Sequence, residues 1–435
     1  MNATGRMAQV AGESLTAGDT TTVRRDELTA PVVRVLLVTG EYPPTIGGVG
    51  DYTAALAAQL RVAGAVAAVL TGVGAASPDD LAVRRTVPEW GVRGWPAIGR
   101  VVAALRPDLV HIQYQAGAFA GRGEIIALPW WLARRAALPT VVTFHDRCVP
   151  YLFPKAGPLR AFALRTLARG GAATIATNGD DWLALRADWA TERQLHLIPI
   201  GSNIPALPAD ERRAVRDATR SALGVGPDTT VIAYFGLVSA SKGVDLLLDA
   251  VASAAAHGLT DFRLLLIGGG ASATDGASFG ADGDLAGALR ARGLAERAIV
   301  TGALPAAAVA AYLAASDLMV LPYRDGASWR RGSLLAALAA GAPTITTVPQ
   351  AGYDAAGALP TLTDGVEVAL VPPDDVQALA AAIGRLAADP ASRARLAAGG
   401  RAIAARFDWP TIVNAHLELY ANLPNRAGPP RGGRR

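Results

Sequence analysis

Short apolar runs alternate with stretches of helical periodicity along most of this chain, beginning near Val32. The run at residues 32–39 is β-branched and almost continuously apolar, which is typical of a strand buried on both faces. A loop rich in glycine and proline follows, and helical periodicity then covers residues 51–63. The pattern predicts further strands at residues 66–70, 109–112, 140–144 and 173–177, with helices at 96–105, 124–136, 159–168 and 180–186. This alternation predicts a parallel sheet with helices on both sides.

The same alternation restarts after residues 198–208, whose three prolines and lack of periodicity predict an interdomain linker. Strands are predicted at residues 230–235, 263–267, 298–301, 318–321 and 344–347, and helices at 244–257, 285–292, 306–314 and 334–340. The sequence therefore predicts an α/β protein with two doubly wound, Rossmann-like domains and a ligand site in the cleft between them.

The predicted domain organisation follows from these patterns. The N-terminal domain covers residues 31–203, the C-terminal domain covers 204–405, and a last helix lies within 406–424. Residues 1–30 and 425–435 are predicted to be disordered, and the Gly/Ala/Ser-rich residues 268–284 are predicted to form a mobile surface loop.

Composition narrows the class of protein. With 435 residues, 51% hydrophobic and 18% charged, the chain can bury two cores. The net charge of +4 is spread out, so the charge pattern does not indicate nucleic-acid binding. One cysteine, Cys148, excludes an internal disulfide, and neither a signal peptide nor a membrane span is evident. We expect a cytoplasmic protein that can contact the inner membrane face peripherally.

Two motifs follow predicted strands in the first half. The segment EYPPTIGGVGDY enters a helix, and its Gly47 and Gly48 allow a ligand close approach to backbone N–H groups. A plain strand-to-helix turn explains these glycines equally well. In TFHD, His145 ends the predicted strand at 140–144 and should face the same cleft, whereas His111 lies inside an apolar run and fits a core position better.

A third motif, GLVSASKG, joins a strand to a helix in the second half and contains Gly236 and Lys242. The chain has only two lysines, and a cation at a helix N-terminus is locally unfavourable unless an anion binds there. We therefore predict that Lys242, with Gly236, binds a diphosphate. A solvated surface lysine is the alternative.

A fourth motif, DGASWRRGS, precedes the helix LLAALAAG. Arg330 and Arg331 should hold phosphate or an acidic acceptor, with Gly332 beside them and Ser333 as the helix N-cap. Two solvated arginines are the competing explanation. Asp325 is a further candidate for contacting the acceptor.

Metal and cofactor chemistry finds little support in the sequence. Asp282 and Asp284 resemble a metal-binding pair but lie in a loose loop, and no histidine or cysteine cluster has zinc spacing. We predict no metal and no cofactor.

Taken in order, EYPPTIGGVGDY, PDLVHIQYQ, TFHD, FGLVSASKGVDLLLDA, SDLMVLPY and ALAAGAPTITT resemble the group 1 glycosyltransferases, family 4 of the retaining enzymes, over residues 32–424. The resemblance implies a GT-B fold and a hexosyltransferase that uses a nucleotide-diphosphate sugar without a metal. It also implies that Gly47 and Gly48 approach the donor, that His145 contacts the transferred sugar, and that Lys242 binds the diphosphate.

The chain departs from the family pattern at three positions. Leu237 stands where members commonly have arginine, and Ser328 and Ala336 stand where they have two glutamates, the second of which holds the ribose. A replacement donor site would draw on four polar residues: Asp325, Arg330, Arg331 and Ser333.

Two alternatives to a transferase remain open from the sequence. A nucleotide-sugar epimerase on the same fold would need carboxylates in the cleft, for which Glu41, Asp146 and Asp325 are the candidates. A catalytically inactive protein that binds nucleotide or glycan is the other. The acceptor, whether glycan, lipid or small molecule, is predicted to meet Tyr151 and Lys155. Trp130 and Trp131, earlier in the chain, fit either a patch at a membrane interface or core packing.

Overall fold

The computed structural model describes residues 32–45, 47–74, 82–146, 157–188, 194–271 and 284–423. The first half of the chain forms a seven-stranded sheet in which all strand pairs are parallel. Its strands are β1 (Arg34–Thr39), β2 (Val66–Gly72), β3 (Val83–Val87), β4 (Leu109–Tyr114), β5 (Thr140–Phe144), β6 (Ala173–Ala176) and β7 (Leu195–Leu197). Its helices are α1 (Gly48–Val62), α2 (Trp95–Leu105), α3 (Leu128–Ala136), α4 (Gly157–Gly170) and α5 (Gly179–Asp188).

Alternate side chains of this sheet enter two separate cores. In β1, Val35 and Leu37 pack with α1, whereas Leu36 and Val38 pack with α2 and α3 on the opposite face. Because both faces are covered, the strands are apolar throughout. The sheet order β3-β2-β1-β4-β5-β6-β7 reverses direction at β1 and β4, where a doubly wound sheet opens a crevice beyond its carboxyl edge.

The second half forms a six-stranded parallel sheet in the order β10-β9-β8-β11-β12-β13, which reverses between β8 and β11. Its strands are β8 (Thr230–Val238), β9 (Phe262–Ala271), β10 (Ala298–Val300), β11 (Leu318–Leu321), β12 (Thr344–Thr347) and β13 (Ala369–Val371). The remaining helices are α6 (Arg212–Ala222), α7 (Val244–Ala256), α8 (Leu285–Ala291), α9 (Ala306–Ala315), α10 (Gly332–Ala340), α11 (Val376–Ala388), α12 (Pro390–Ala404) and α13 (Trp409–Ala421).

The predicted fold class is confirmed, but several elements were missed. β3 contains two arginines, α6 is rich in arginine, and β7 and β13 have three residues each, so none shows a clear apolar period. α11 and α12 are rich in alanine, so their buried and exposed faces differ little in hydrophobicity, and the sequence pattern did not indicate them. The predicted loop at 268–284 is wrong at its start, because β9 continues to Ala271.

The last helix returns to the first sheet. Ile412 and Val413 of α13 join the core that contains α1 and one face of β1. The hydroxyl of Tyr420 lies 2.7 Å from Nδ1 of His111, a fully buried side chain in β4, so His111 is the core histidine that its apolar surroundings predicted. The domain boundaries themselves stay predictions.

His416 of α13 should make the protein sensitive to acid. It is fully buried, Nδ1 donates to the Ile412 carbonyl at 2.8 Å, and Nε2 has no partner within the described residues. Burial lowers its pKa to about 4, against the opposing effect of the bond to Ile412. The unfolded chain, with an ordinary histidine pKa near 6.5, therefore takes up a proton first, and stability falls as the pH drops from about 6.5 towards 4.

We expect His416→Leu to match or exceed the wild type in stability at pH 7.5 and to lose less on acidification. The variant removes an unsatisfied buried nitrogen, and the difference should grow by on the order of 1 kcal/mol per pH unit below pH 6.5. Urea unfolding at pH 7.5 and 5.5 measures it, with the exposed His257→Leu as control. An equal acid loss in wild type and His416→Leu would contradict the assignment.

Candidate active site

The head of α1 is occupied by a carboxylate of the chain itself. Glu41 Oε1 accepts from the backbone N–H groups of Val49 at 3.0 Å and Gly50 at 3.1 Å. A Cβ at Gly47 would lie 2.3 Å from this carboxylate, so Gly47 is needed for the close approach of Glu41. Gly48 is exposed, with open space where a Cβ would stand. An incoming ligand therefore meets a carboxylate at this helix end, which favours a sugar hydroxyl over a phosphate.

His145 follows β5 at the carboxyl edge of the same sheet. Its Nε2 lies 2.8 Å from Oε1 of Gln113, at the end of β4, and its ring meets the edge of Tyr52 of α1 at 4.9 Å between centroids. Trp409, at the start of α13, packs against Tyr52 in turn, at 5.7 Å. Sequence reasoning missed these three neighbours. Only the polar character of Gln113 at the end of an apolar strand could have signalled one of them.

The electrostatic surroundings keep His145 neutral. Burial, reinforced by the nearby His416, lowers the pKa of His145 to about 3. At neutral pH the imidazole can exchange hydrogen bonds with a sugar, but it does not supply a positive charge.

Lys242 ends the short 3-10 turn Ala240–Lys242 between β8 and α7. Its Nζ lies 3.3 Å from the position of a Cβ at Gly236, whose φ of +142° and whose closeness to the lysine both favour glycine. Gly243 directly precedes α7 and has a φ of +65°. A Cβ at this position would lie only 2.2 Å from the carbonyl oxygen of Pro322, after β11, so the close approach requires glycine. The lysine loop and the loop after β11 are thus packed tightly together.

Two buried tyrosines connect Lys242 with Arg331. The hydroxyl of Tyr234 donates to the Leu237 carbonyl at 2.8 Å, beneath Gly236. Burial raises the pKa of Tyr234 well above its usual range; the nearby Tyr323 adds to this rise, and the positive charge of Arg331 opposes it. The guanidinium of Arg331 lies over the Tyr323 ring, 4.8 Å from its centroid. The two cations predicted for the diphosphate therefore lie around one tyrosine pair.

Asp325 pairs with both arginines instead of facing an acceptor alone. Its carboxylate contacts Arg330 at 2.5 Å and also contacts Arg331, and the two arginine side chains are 22% and 14% exposed. α10 begins at Gly332, directly after the arginines and two residues before the predicted start at residue 334. The assignment of Ser333 as N-cap is wrong, because Arg331 holds that position and the Ser333 hydroxyl bonds the Tyr323 hydroxyl at 2.7 Å.

The two family positions that lack glutamate are both buried. Ser328 is 4% exposed and Ala336 is 1% exposed. The Ser328 hydroxyl has no hydrogen-bond partner in the part of the chain that the structure describes. Neither side chain presents an oxygen to a ribose.

The arginine loop also meets the first sheet's domain. Burial raises the pKa of Asp180, at the start of α5, and Arg330 opposes this shift, so Asp180 and Arg330 lie close together. A Cβ at Gly179 would stand only 2.4 Å from Ala355 N and Gly352 O. The predicted donor residues of the second sheet thus border a contact between the two domains.

Other predicted residues lie apart from this site or outside the described ranges. Tyr151, Lys155 and Asp282 fall outside them. Asp284 is the N-cap of α8, accepting from Gly287 N at 2.7 Å. Trp130 is 45% exposed and so does not fit core packing, whereas Trp131 packs on Trp95 at 5.6 Å.

Two negative findings concern the described residues only. They contain no group of three or more histidine, cysteine, aspartate or glutamate side chains placed to hold a metal ion. Among their helices, none combines the length and apolar character needed to cross a membrane.

Two family models match the chain. "Glycosyl transferase 4-like domain" matches residues 47–201, which include the glycine segment and His145. "Glycosyl transferases group 1" matches residues 229–389, which include Lys242 and the arginine pair. Together they span most of the chain.

Curated relatives are glycosyltransferases. D-inositol 3-phosphate glycosyltransferase of Xylanimonas cellulosilytica is 27% identical over 73% of each chain. GDP-mannose-dependent alpha-(1-6)-phosphatidylinositol monomannoside mannosyltransferase of Mycolicibacterium smegmatis is 27% identical over 84% of this chain and 92% of its own.

Solved structures share the fold. Anabaena Alr3699/HepE in complex with UDP-glucose has a TM-score of 0.68 and 20% identity over 89% of this chain and 99% of its own. Sucrose-phosphate synthase from Thermosynechococcus elongatus has a TM-score of 0.69 and 21% identity over 90% and 99%. The chain therefore belongs to the group 1 glycosyltransferases and is a glycosyltransferase with the two-domain GT-B fold.

Proposed function

We propose that this protein is a retaining glycosyltransferase that takes its sugar from a nucleotide-diphosphate donor without a metal ion. The observation that carries the proposal is the grouping of Lys242 and Arg331 around Tyr234 and Tyr323, at the carboxyl edge of the second sheet. Fixed cations at this edge suit a diphosphate, whose charge increases as the sugar leaves.

The distribution of charge supports a division of roles between the sheets. The first sheet presents the neutral His145 and the carboxylate of Glu41, which suit hydroxyl groups. The second presents Lys242 and the start of α10, which suit phosphate. A donor with its sugar towards His145 and its diphosphate towards Lys242 satisfies both.

The mechanism that we propose is substitution on the front face of the sugar. The departing diphosphate stays beside the anomeric carbon and accepts the acceptor's proton, while Lys242 and the N–H groups of α10 stabilise its charge. No strongly basic side chain is required. The domain contact at Asp180 would help to exclude water from the reacting centre.

The epimerase alternative is weakened because two of its three candidate carboxylates already make other contacts. Glu41 caps α1, and Asp325 holds two arginines. Neither is left to exchange protons with a sugar.

Names of relatives suggest the class of acceptor. Those cited above act on inositol 3-phosphate or on a phosphatidylinositol mannoside, and a solved neighbour binds UDP-glucose. We propose a hydroxyl-rich acceptor, a polyol phosphate or glycolipid headgroup, with a UDP- or GDP-sugar as donor.

The test is to incubate the pure protein with a panel of UDP-, GDP- and ADP-sugars and to separate the products by chromatography. A transferase releases nucleoside diphosphate slowly, with water as acceptor, from at least one donor. Conversion of one nucleotide sugar to another would indicate an epimerase. Binding without turnover would indicate an inactive protein.

We expect this release to continue in excess EDTA at close to its original rate, because side-chain cations and backbone N–H groups neutralise the diphosphate. The matched measurement adds MgCl₂ or MnCl₂ to the dialysed protein. If EDTA abolishes turnover and either metal restores it, metal independence is refuted. Asp282 and Asp284 would then be the candidate metal ligands.

A further inference from the structure

A chain of buried hydrogen bonds runs from the end of α13 to the candidate active site. Tyr420 Oη lies 2.7 Å from His111 Nδ1, and His111 Nε2 lies 3.2 Å from Gln113 Nε2. The other end of the same amide, Gln113 Oε1, lies 2.8 Å from His145 Nε2. Tyr420, His111 and Gln113 are all buried, so water does not compete for these bonds.

The amide of Gln113 gives this chain a direction. Its nitrogen can only donate, so His111 Nε2 accepts and His111 carries its proton on Nδ1, which donates to Tyr420. Thr143 Oγ1, 2.6 Å from His111 Nε2, also donates, and the two donors share the single lone pair of this nitrogen. The oxygen of Gln113 can only accept, so Nε2 of His145 must carry the proton.

We infer that Gln113 is a positioning residue that fixes His145 as the Nε2–H tautomer, so that Nδ1 presents a lone pair to the transferred sugar. This rests on the proposed function. Nδ1 has no hydrogen-bond partner among the described residues, and the half-buried ring stands at the sheet edge beside Tyr52. Its ligand is then a sugar hydroxyl that donates, and a uronic-acid carboxylate, which can only accept, is disfavoured at this place.

The direct test is ¹⁵N NMR of the histidine side chains in the full-length protein, with the His145 signals assigned by their loss in His145→Asn. The wild type should show a proton on Nε2 and an unprotonated Nδ1 at pH 7. The reverse assignment, with Nδ1 protonated, would overturn the inference outright. The measurement needs no turnover, so it stands or falls separately from the transferase proposal.

Two substitutions separate positioning from simple packing. Gln113→Met keeps the side-chain length but removes the acceptor, and His145 should then show a mixture of tautomers. Gln113→Glu keeps an acceptor and should retain the Nε2 proton. It should also raise the pKa of His145, since a negative carboxylate would then accept the hydrogen bond from Nε2 and stabilise the protonated ring.

A control variant removes a buried hydrogen bond elsewhere at this sheet edge. Thr177 Oγ1 donates to the Phe144 carbonyl at 3.2 Å, and this bond is not part of the chain from Tyr420 to His145. Thr177→Val should leave the His145 tautomer unchanged. If Gln113→Met keeps a single Nε2–H tautomer, or if Thr177→Val disturbs it equally, Gln113 does not position His145.

Discussion

Lys242→Ala is expected to lower turnover of the nucleotide sugar by a factor of about 10² to 10³ while the protein stays folded. The lysine ammonium lies beside Gly236, where the leaving diphosphate would develop its charge. Removing one such contact typically costs about 2.7–4 kcal/mol of transition-state stabilisation. Initial rates of nucleoside diphosphate release measure the loss.

A charge-matched control is available at the opposite end of the second sheet. Arg297 lies over Phe262, at the start of β9, and contacts the Thr260 carbonyl. Arg297→Ala removes one positive charge far from the proposed site and should keep its turnover. Equal losses in both variants, or wild-type rates in Lys242→Ala, would remove the lysine from the site.

The second large effect concerns Arg331 and the donor nucleotide. Ser328 and Ala336 offer no carboxylate to the ribose, so phosphate contacts must supply more of the affinity. We expect UDP or GDP to bind much more tightly than uridine or guanosine. Arg331→Ala should weaken the diphosphate by about 1.5–3 kcal/mol, roughly tenfold to a hundredfold, and barely affect the nucleoside. Calorimetric titration measures both.

Controls for this prediction come from other arginine–aspartate pairs. Arg292, directly after α8, contacts Asp249 of α7 at 2.6 Å, and Arg292→Ala should bind nucleotide as the wild type does. Arg330→Ala tests the other partner of Asp325. If the variants of Arg330 and Arg331 both bind UDP and GDP normally, the arginines serve an acidic acceptor instead.

The sequence was sufficient for the fold because the buried strands are unusually regular. Continuous apolar runs such as the one that forms β5 leave little doubt about a parallel sheet covered on both faces. Elements with few apolar residues, such as β3 and α6, were not predicted. They are stabilised by tertiary contacts that the sequence pattern does not show, for example the salt bridges of Arg216 and Arg220 with Asp317.

The sequence indicated where in the fold the candidate residues lie, but not which side chains they contact. The end of a predicted strand indicated His145, and the start of a predicted helix indicated Lys242 and the arginines. The pairing of Asp325 with both arginines joins residues in one loop, but nothing in their spacing specifies it. The bond between Gln113 and His145 joins separate strands, so only the register of β4 beside β5 reveals it.

The most direct test of the account is the anomeric configuration of a transferred sugar. The donor that the panel identifies would be incubated with the protein and glycerol as a surrogate acceptor, because a glycoside, unlike a free sugar, does not equilibrate between anomers. ¹H NMR of the product should show the same configuration as the donor, formed in the presence of EDTA and nearly abolished by Lys242→Ala. An inverted linkage, or no consumption of any UDP-, GDP- or ADP-sugar, would contradict a retaining transferase that holds its diphosphate on Lys242.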